Sequence, residues 1–463
     1  MDQITSLSSV PLFSIEDAQL IPARRYYDKQ FFKAEAERLW SRVWQMACRL
    51  EEIPGVGDWV EYRLLDQSVI VVRAKDGVKA FHNVCRHRGV RLASGRGNCR
   101  TTGFICPFHG WRWTMDGRNS FVFSREIFDH ALLDAKDIDL VPCRIELWGG
   151  CAFINFDDEA PPLADCFGAT AKVLDARNIG AMRAEWWRST ILPVNWKLAM
   201  EAFMEGYHVM RTHPQLHAVT IPGHDTYGQD HEKVQAPRRK LTARETIDTT
   251  LEHFWLLGEG MAGMILESDV AVARELADGD LPDDPRVAVG EWMRRVNAEI
   301  TRRGRERGAP LPDLNALAAS QRYSPVEYLF PNIFFLPFFG NMAAYRIRPL
   351  TPETCLFELW SLTLRPDGGD HDRLTAPTPV PHEDPSFPDI PRQDYANLPL
   401  QQLGLHSRGF RHMRLSAKVE GLISNYQRLI DGFLEERDWD ELAPAMRTVC
   451  GPYEVPIRDL GLA

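Results

Sequence analysis

The chain has no apolar run long enough to cross a bilayer. Its most apolar stretch, Tyr328 to Tyr345, is broken by Pro331, Asn332, Pro337 and Gly340, whereas a spanning helix needs about 20 uninterrupted apolar residues; the stretch reads instead as strands and a turn lining a pocket. Positive charge is not in excess either. The net charge is −10, and the one short basic cluster, Arg302-Arg303-Gly304-Arg305, lies among acids as a solvated helix face does, so nucleic acid is not an expected partner. The first residues lack the basic start and apolar segment of a secretory signal, which predicts a cytoplasmic protein. No G-x-G-x-x-G follows a strand, so a nicotinamide is not expected to bind this chain directly. Cysteine is sparse, nine in 463 residues, and no internal repeat is visible. Cys48, Cys99, Cys143, Cys151, Cys166, Cys355 and Cys450 are widely spread and odd in number, which favours reduced thiols over a disulfide framework.

The remaining two cysteines stand in a pattern. Cys85-Arg86-His87 is followed, after eighteen intervening residues, by Cys106-Pro107-Phe108-His109-Gly110-Trp111. A structural zinc accepts two Cys and two His, but its usual spacings keep the cysteines together and the histidines together. Here each loop offers one of each. A binuclear iron-sulfur cluster with two thiolates on one iron and two neutral imidazoles on the other needs this set, and the imidazoles raise its reduction potential. Cys85, His87, Cys106 and His109 are therefore the expected ligands of a [2Fe-2S] cluster.

These loops, Cys85-Arg-His87-Arg-Gly89 and Cys106-Pro-Phe-His109-Gly-Trp111, resemble the Rieske non-haem iron ring-hydroxylating oxygenases, large (alpha) subunit. The resemblance implies a second metal site downstream, where an acid, two residues, His, four residues and His appear as Glu205-x-x-His208-x4-His213. Two histidines and a carboxylate on one face of iron(II) leave positions open for oxygen and substrate. By resemblance the carboxylate is Asp394, in Arg392-Gln393-Asp394-Tyr395; Glu383, Asp384 and Asp389 in the Pro-rich loop before it read as solvated charges.

The segment from Trp196 to Met204 mixes apolar and charged residues at helical density, which predicts a largely buried helix with Glu201, Glu205 and His208 on one face. His213 precedes Pro214 and is pushed out of helical geometry, so the helix should unwind near Thr212. In the family the acid at position 205, more often Asp, joins a cluster histidine of a neighbouring subunit to an iron histidine of its own. The implied bridge runs from His109 of one chain through Glu205 to His208 of the next. Asn195 is read either as a residue near the iron or as a helix cap.

The organisation expected is α+β. Residues 1–40 form an N-terminal helical part of the catalytic domain, with Asp28 to Arg49 as a helix; 41–160 form a Rieske-type antiparallel β domain. Residues 161–463 form the catalytic domain, with a helical insertion near 228–322 and a long helix from Leu415 to Ile430. The resemblance makes this a helix-grip (START-like) catalytic domain, with the Rieske domain inserted near its N-terminus.

It also implies a terminal oxygenase that takes NADH- or NADPH-derived electrons from a separate reductase or ferredoxin and uses O2 to hydroxylate a small organic substrate. A homotrimer, possibly joined by a small beta subunit, is the implied assembly. An aromatic or other apolar substrate is favoured by the apolar Tyr328–Phe339 stretch. A quaternary-amine or demethylating monooxygenase is the alternative that Glu205 favours, since some family members acting on quaternary amines carry Glu there. A Rieske electron carrier without its own chemistry would not need the roughly 300 residues that follow the cluster motif.

Overall fold

The computed structural model describes residues 13–217, 241–261, 263–321, 324–366, 374–453 and 455–462. The chain divides into two compact units. One is Glu35–Leu163 with the short piece 374–376; the other takes up the rest of the chain on both sides, so residues 13–34 belong with the segment from Ala164 onward.

The Glu35–Leu163 unit is antiparallel β structure. Strands Gly77–His82, Gln67–Ala74, Asp58–Leu64 and Arg96–Asn98 form one sheet, Arg144–Trp148, Cys151–Asn155 and Gln45–Arg49 a second, and Phe104–Ile105, Arg112–Trp113 and Asn119–Phe121 a small third. β-Branched Val69, Ile70, Val71 and Val72 are fully buried in the central strand, as strand propensity and burial together favour. The helix expected from Asp28 to Arg49 is shorter. It runs as Lys29–Ala34 and a π-helical turn, Glu35–Leu39, and then Gln45–Arg49 becomes a strand paired with Cys151–Asn155. Gln-Met-Ala-Cys-Arg has no strong preference of its own, and sheet pairing decides its state.

The larger unit is built on a seven-stranded sheet, in the order Thr378–Pro379, Met182–Leu192, Thr354–Leu364, Asn341–Thr351, Ile333–Phe338, Glu327–Leu329, Gly451–Pro452. The period of two separates its faces. Phe357 turns toward Phe203 and Tyr395, while its neighbour Glu358 is buried in a two-point ion pair with Arg346 at 2.8 and 2.9 Å. The N-terminal part is not wholly helical: Leu20–Pro22 pairs antiparallel with His412–Arg414. That pairing also uses residues just before the expected Leu415 helix, which begins at Gly421 and runs to Leu434.

Residues 228–240, 262 and 322 of the expected insertion lie outside the described residues. The rest forms helices Ala243–Met261, Glu267–Glu275, Pro285–Glu306 and Leu314–Ser320. Asp284 caps the third by accepting from the backbone of Arg286 and Val287, with Pro285 in its first turn, where a missing N–H costs nothing. Among the described residues, no helix is long and apolar enough to cross a membrane.

Candidate metal centres

The first centre is made by two loops with the same backbone bonding. Cys85 N–H donates to Val90 O at 2.7 Å and Gly89 N–H to Cys85 O at 3.0 Å; Cys106 N–H donates to Trp111 O at 2.8 Å and Gly110 N–H to Cys106 O at 3.1 Å. Gly89 and Gly110 close the two turns at φ +74° and +68°, a region costly for any side chain. Both loops present a Cys and a His from a rigid turn, although the intervening count differs by one residue.

Cys85 and Cys106 are buried free thiols, set among Ile70, Val72, Phe104, Trp111 and Trp113. The His87 and His109 rings lie 4.7 Å apart at 68°, and His87 stacks on Trp111 at 5.0 Å and 6°. Burial, with His109 and Arg88 nearby, lowers the His87 pKa and favours the neutral ring that metal binding requires. Burial also raises the Cys85 thiol pKa, a bias that a bound metal reverses. His87 Nδ1 is buried without a hydrogen-bond partner. A buried ring nitrogen is rarely left so, and a metal bond from that atom accounts for it, so the residues fit a Rieske cluster.

The second centre gathers His208, His213 and Asp394, whose nearest ligand atoms all lie within 4.8 Å of one another. His213 Nε2 is 3.2 Å and His208 Nε2 3.7 Å from Asp394 Oδ1. Asp394 sits in the helix Asp389–Leu405 and is 4 % exposed, a burial that a carboxylate tolerates only with a cationic or metal partner. Both other ring nitrogens are occupied. His208 Nδ1 is 2.7 Å from Glu205 Oε1, and His213 Nδ1 is 2.7 Å from Gln393 Oε1. The two Nε2 atoms are thereby left for a metal, the donor set that suits non-haem iron(II).

The local chain differs from a single helix. Trp196–Glu201 is helical, but residues 202–207 turn, and a second short helix, Val209–Thr212, starts after His208. Glu205 therefore does not share a helix face with Glu201. Its carboxylate instead accepts from the His208 backbone N–H at 3.0 Å, and Gly206 weakens any helical continuation. The break falls at His213 itself (φ −118°, ψ 64°), one residue after the expected Thr212 and in keeping with the following proline.

Glu201 points elsewhere, to Tyr26 Oη at 2.9 Å and Gln427 Nε2 at 2.5 Å. Burial pushes its carboxyl up to about 7 against the lowering effects of these two hydrogen bonds. Burial also acts to lower the His208 pKa, but Glu205 and Asp394 outweigh it and the net shift is upward. Asn195 caps the helix: Oδ1 accepts from Lys197 N–H at 2.9 Å and Nδ2 donates to Pro352 O at 2.7 Å. Both ends of its amide are thus used within the fold. Glu383 and Asp389 have side chains 75 % and 65 % exposed, as expected of solvated charges.

Gln393, although adjacent to Asp394, was not marked by any spacing rule, and neither was Gln215, which is hydrogen-bonded to it at 2.9 Å. Beside this site the sheet carries an aromatic group. Phe203 stacks on Phe334 at 4.3 Å, and Phe334 on Tyr345 at 4.3 Å; Phe357 meets Tyr395, the residue after Asp394, at 5.1 Å.

Comparison with known proteins gives two family matches: residues 43–122 match the Rieske [2Fe-2S] domain, and residues 174–436 the ring hydroxylating alpha subunit catalytic domain. The carnitine monooxygenase oxygenase subunit of Escherichia coli K12 is 30% identical over 305 residues, covering 61% of this chain and 81% of that protein. A glycine betaine monooxygenase oxygenase subunit of Pseudomonas aeruginosa is 30% identical over 198 residues, covering 42% of this chain and 45% of that protein. Among solved structures, naphthalene 1,2-dioxygenase with indole in its active site aligns at TM-score 0.62 and 20% identity, over 96% of this chain and 98% of that one. The apo form of a quaternary ammonium Rieske monooxygenase aligns at 0.57 and 17%, over 90% and 96%.

Proposed function

Given that this chain belongs to the ring-hydroxylating alpha subunits of the Rieske oxygenases, we propose that Cys85, His87, Cys106 and His109 hold its [2Fe-2S] cluster, and His208, His213 and Asp394 its mononuclear iron. The enzyme is an oxidoreductase, a terminal oxygenase supplied with electrons by a reductase. When bound, the iron supplies activation of O2 for insertion into a C–H or C=C bond, with the cluster as its electron source. The observation that carries the assignment is the joint presence of two Cys-and-His turns and a His-His-Asp group in one chain.

The protein's own part is to orient and to exclude water. Glu205 fixes His208 with Nδ1–H donating to it, so Nε2 faces Asp394. In a homotrimer the other carboxylate edge of Glu205 would meet His109 of a neighbouring copy, giving electrons a short path between subunits. Residues Phe203, Phe334, Tyr345 and Phe357 supply an apolar wall for an aromatic or other apolar substrate, while backbone turns at 202–207 keep the ligand segment close to it.

A quaternary-amine substrate is the second reading, favoured by Glu205 and by the carnitine and glycine betaine relatives. Against it, the stacked faces of Phe203, Phe334 and Tyr345 are used on one another, whereas a cation needs open ring faces. Reconstitution with a reductase and labelled O2, offering matched aromatic hydrocarbons and quaternary amines, decides the class. Label in a hydroxylated ring supports the first reading; turnover of the amines alone overturns it. Anaerobic preparations should carry about three irons and two labile sulfides per chain.

A further inference from the structure

Both nitrogens of one imidazole are met by consecutive residues of a single helix. Asp394 Oδ1 lies 3.2 Å from His213 Nε2, and Gln393 Oε1 lies 2.7 Å from His213 Nδ1. Gln393 is in turn held end to end by Gln215: Gln215 Nε2 donates to Gln393 Oε1 at 2.9 Å, and Gln393 Nε2 donates to Gln215 Oε1 at 3.2 Å. We infer that Gln393, locked by Gln215, is a positioning residue that sets the tautomer and ring plane of His213 for metal binding. The inference rests on His213 and Asp394 being iron ligands.

The chemistry follows from the donor inventory. A glutamine oxygen only accepts, so the proton of neutral His213 must sit on Nδ1, leaving the Nε2 lone pair for the metal. A glutamine amide can be turned over so that NH2 replaces oxygen, and then it would select the opposite tautomer. The reciprocal pair with Gln215 opposes that turn, because flipping Gln393 alone would set NH2 against NH2 and oxygen against oxygen. His213 is 2 % exposed, so water is a poor substitute for the lost acceptor.

The two histidines are thus oriented by unlike groups. Glu205 gives His208 a charged acceptor, which makes the ring a stronger donor and offers a second oxygen for another contact. Gln393 gives His213 a neutral acceptor that fixes geometry without adding charge. Position 393 also couples the ligand carboxylate to the ligand imidazole: any slip of that helical turn moves both together.

The test uses the full-length protein with its cluster in place, stripped of mononuclear iron and titrated anaerobically with Fe(II), with the nitric oxide adduct read by electron paramagnetic resonance. Gln393→Met, close in shape but unable to accept from Nδ1–H, should weaken Fe(II) binding by about 10- to 100-fold and broaden the adduct signal. The Rieske absorption should stay unchanged. Gln393→Glu, which keeps an acceptor, should bind Fe(II) within a few-fold of wild type, and Gln215→Ala should give a smaller loss than Gln393→Met. Wild-type affinity and an unchanged adduct signal in Gln393→Met would overturn the inference. If His213→Ala itself keeps stoichiometric mononuclear iron, the ligand assignment fails instead.

Discussion

The two metal centres are constructed by opposite means. The four proposed cluster ligands fall within 25 consecutive residues, 85–109, on two turns whose shape is set by backbone hydrogen bonds and a left-handed glycine in each. The proposed iron ligands His208, His213 and Asp394 span 187 residues, 208–394, and side chains from several elements orient them. A backbone-coded site is specified where it is written. A site assembled by packing depends on contacts spread over the whole unit, and its weak points lie far from the metal.

The largest test of this division is ligand removal. Cys106→Ala should abolish the cluster and all turnover yet leave mononuclear iron bound, and Asp394→Ala should lose the mononuclear iron and all turnover yet keep the cluster; iron and sulfide analysis with spectroscopy of the reduced protein reads both. Loss of both metals in either variant would break the comparison. Next in size is Glu205→Gln, which should retain both metals but lower reductase-driven product formation by about 100-fold. Full turnover would remove Glu205 from the electron path.

A third effect is pH dependence from a buried carboxyl in the helix that leads to the iron-ligand segment. Glu201 has a folded pKa of about 7 against the ordinary 4.5, chiefly through burial. Between those values the folded chain binds more protons at this group than the unfolded one, so its contribution to stability is full below about pH 4.5 and declines as pH rises through 7. The single-group limit is about 3 kcal/mol. Tyr26, Gln427, Lys197 and Arg25 face this carboxyl. Urea midpoints across that range should slope less in Glu201→Gln than in wild type; an identical slope would remove the group from the ledger of titrating sites.

The smallest effect should come from the cluster turns. Gly89→Ala and Gly110→Ala meet no atom within 4 Å, so each should cost only the left-handed backbone penalty, about 1–2 kcal/mol. Near-equal drops in thermal midpoint would confirm that the loops are mechanical equivalents. Gly103→Ala sharpens the point: its Cβ would lie 2.1 Å from Trp113 O, and it should cost more than either.

The same division explains what could be read from sequence. Cysteine and histidine with intervening glycine announce the cluster because its geometry is local. The proposed iron ligands His208, His213 and Asp394 are reached only through the resemblance to family segments, because the residues that would meet at the metal are far apart in the chain. The continuous helix through Glu205 was not borne out, because a carboxylate that captures the His208 N–H competes with helical bonding. Asn195 served as a cap, the more common use of that residue at a helix start. Gln393 and Gln215 carried no signal at all, since two glutamines 178 residues apart become partners only after packing.

Strand Leu20–Pro22 finds its partner in His412–Arg414, with the entire Glu35–Leu163 unit encoded between them. During synthesis the Glu35–Leu163 segment therefore leaves the ribosome as one uninterrupted stretch, while strand Leu20–Pro22 waits until residues 412–414 have emerged for its complement. Maturation of this enzyme thus has a built-in order of availability: the four proposed cluster ligands, residues 85–109, are all synthesised before Asp394 has been made.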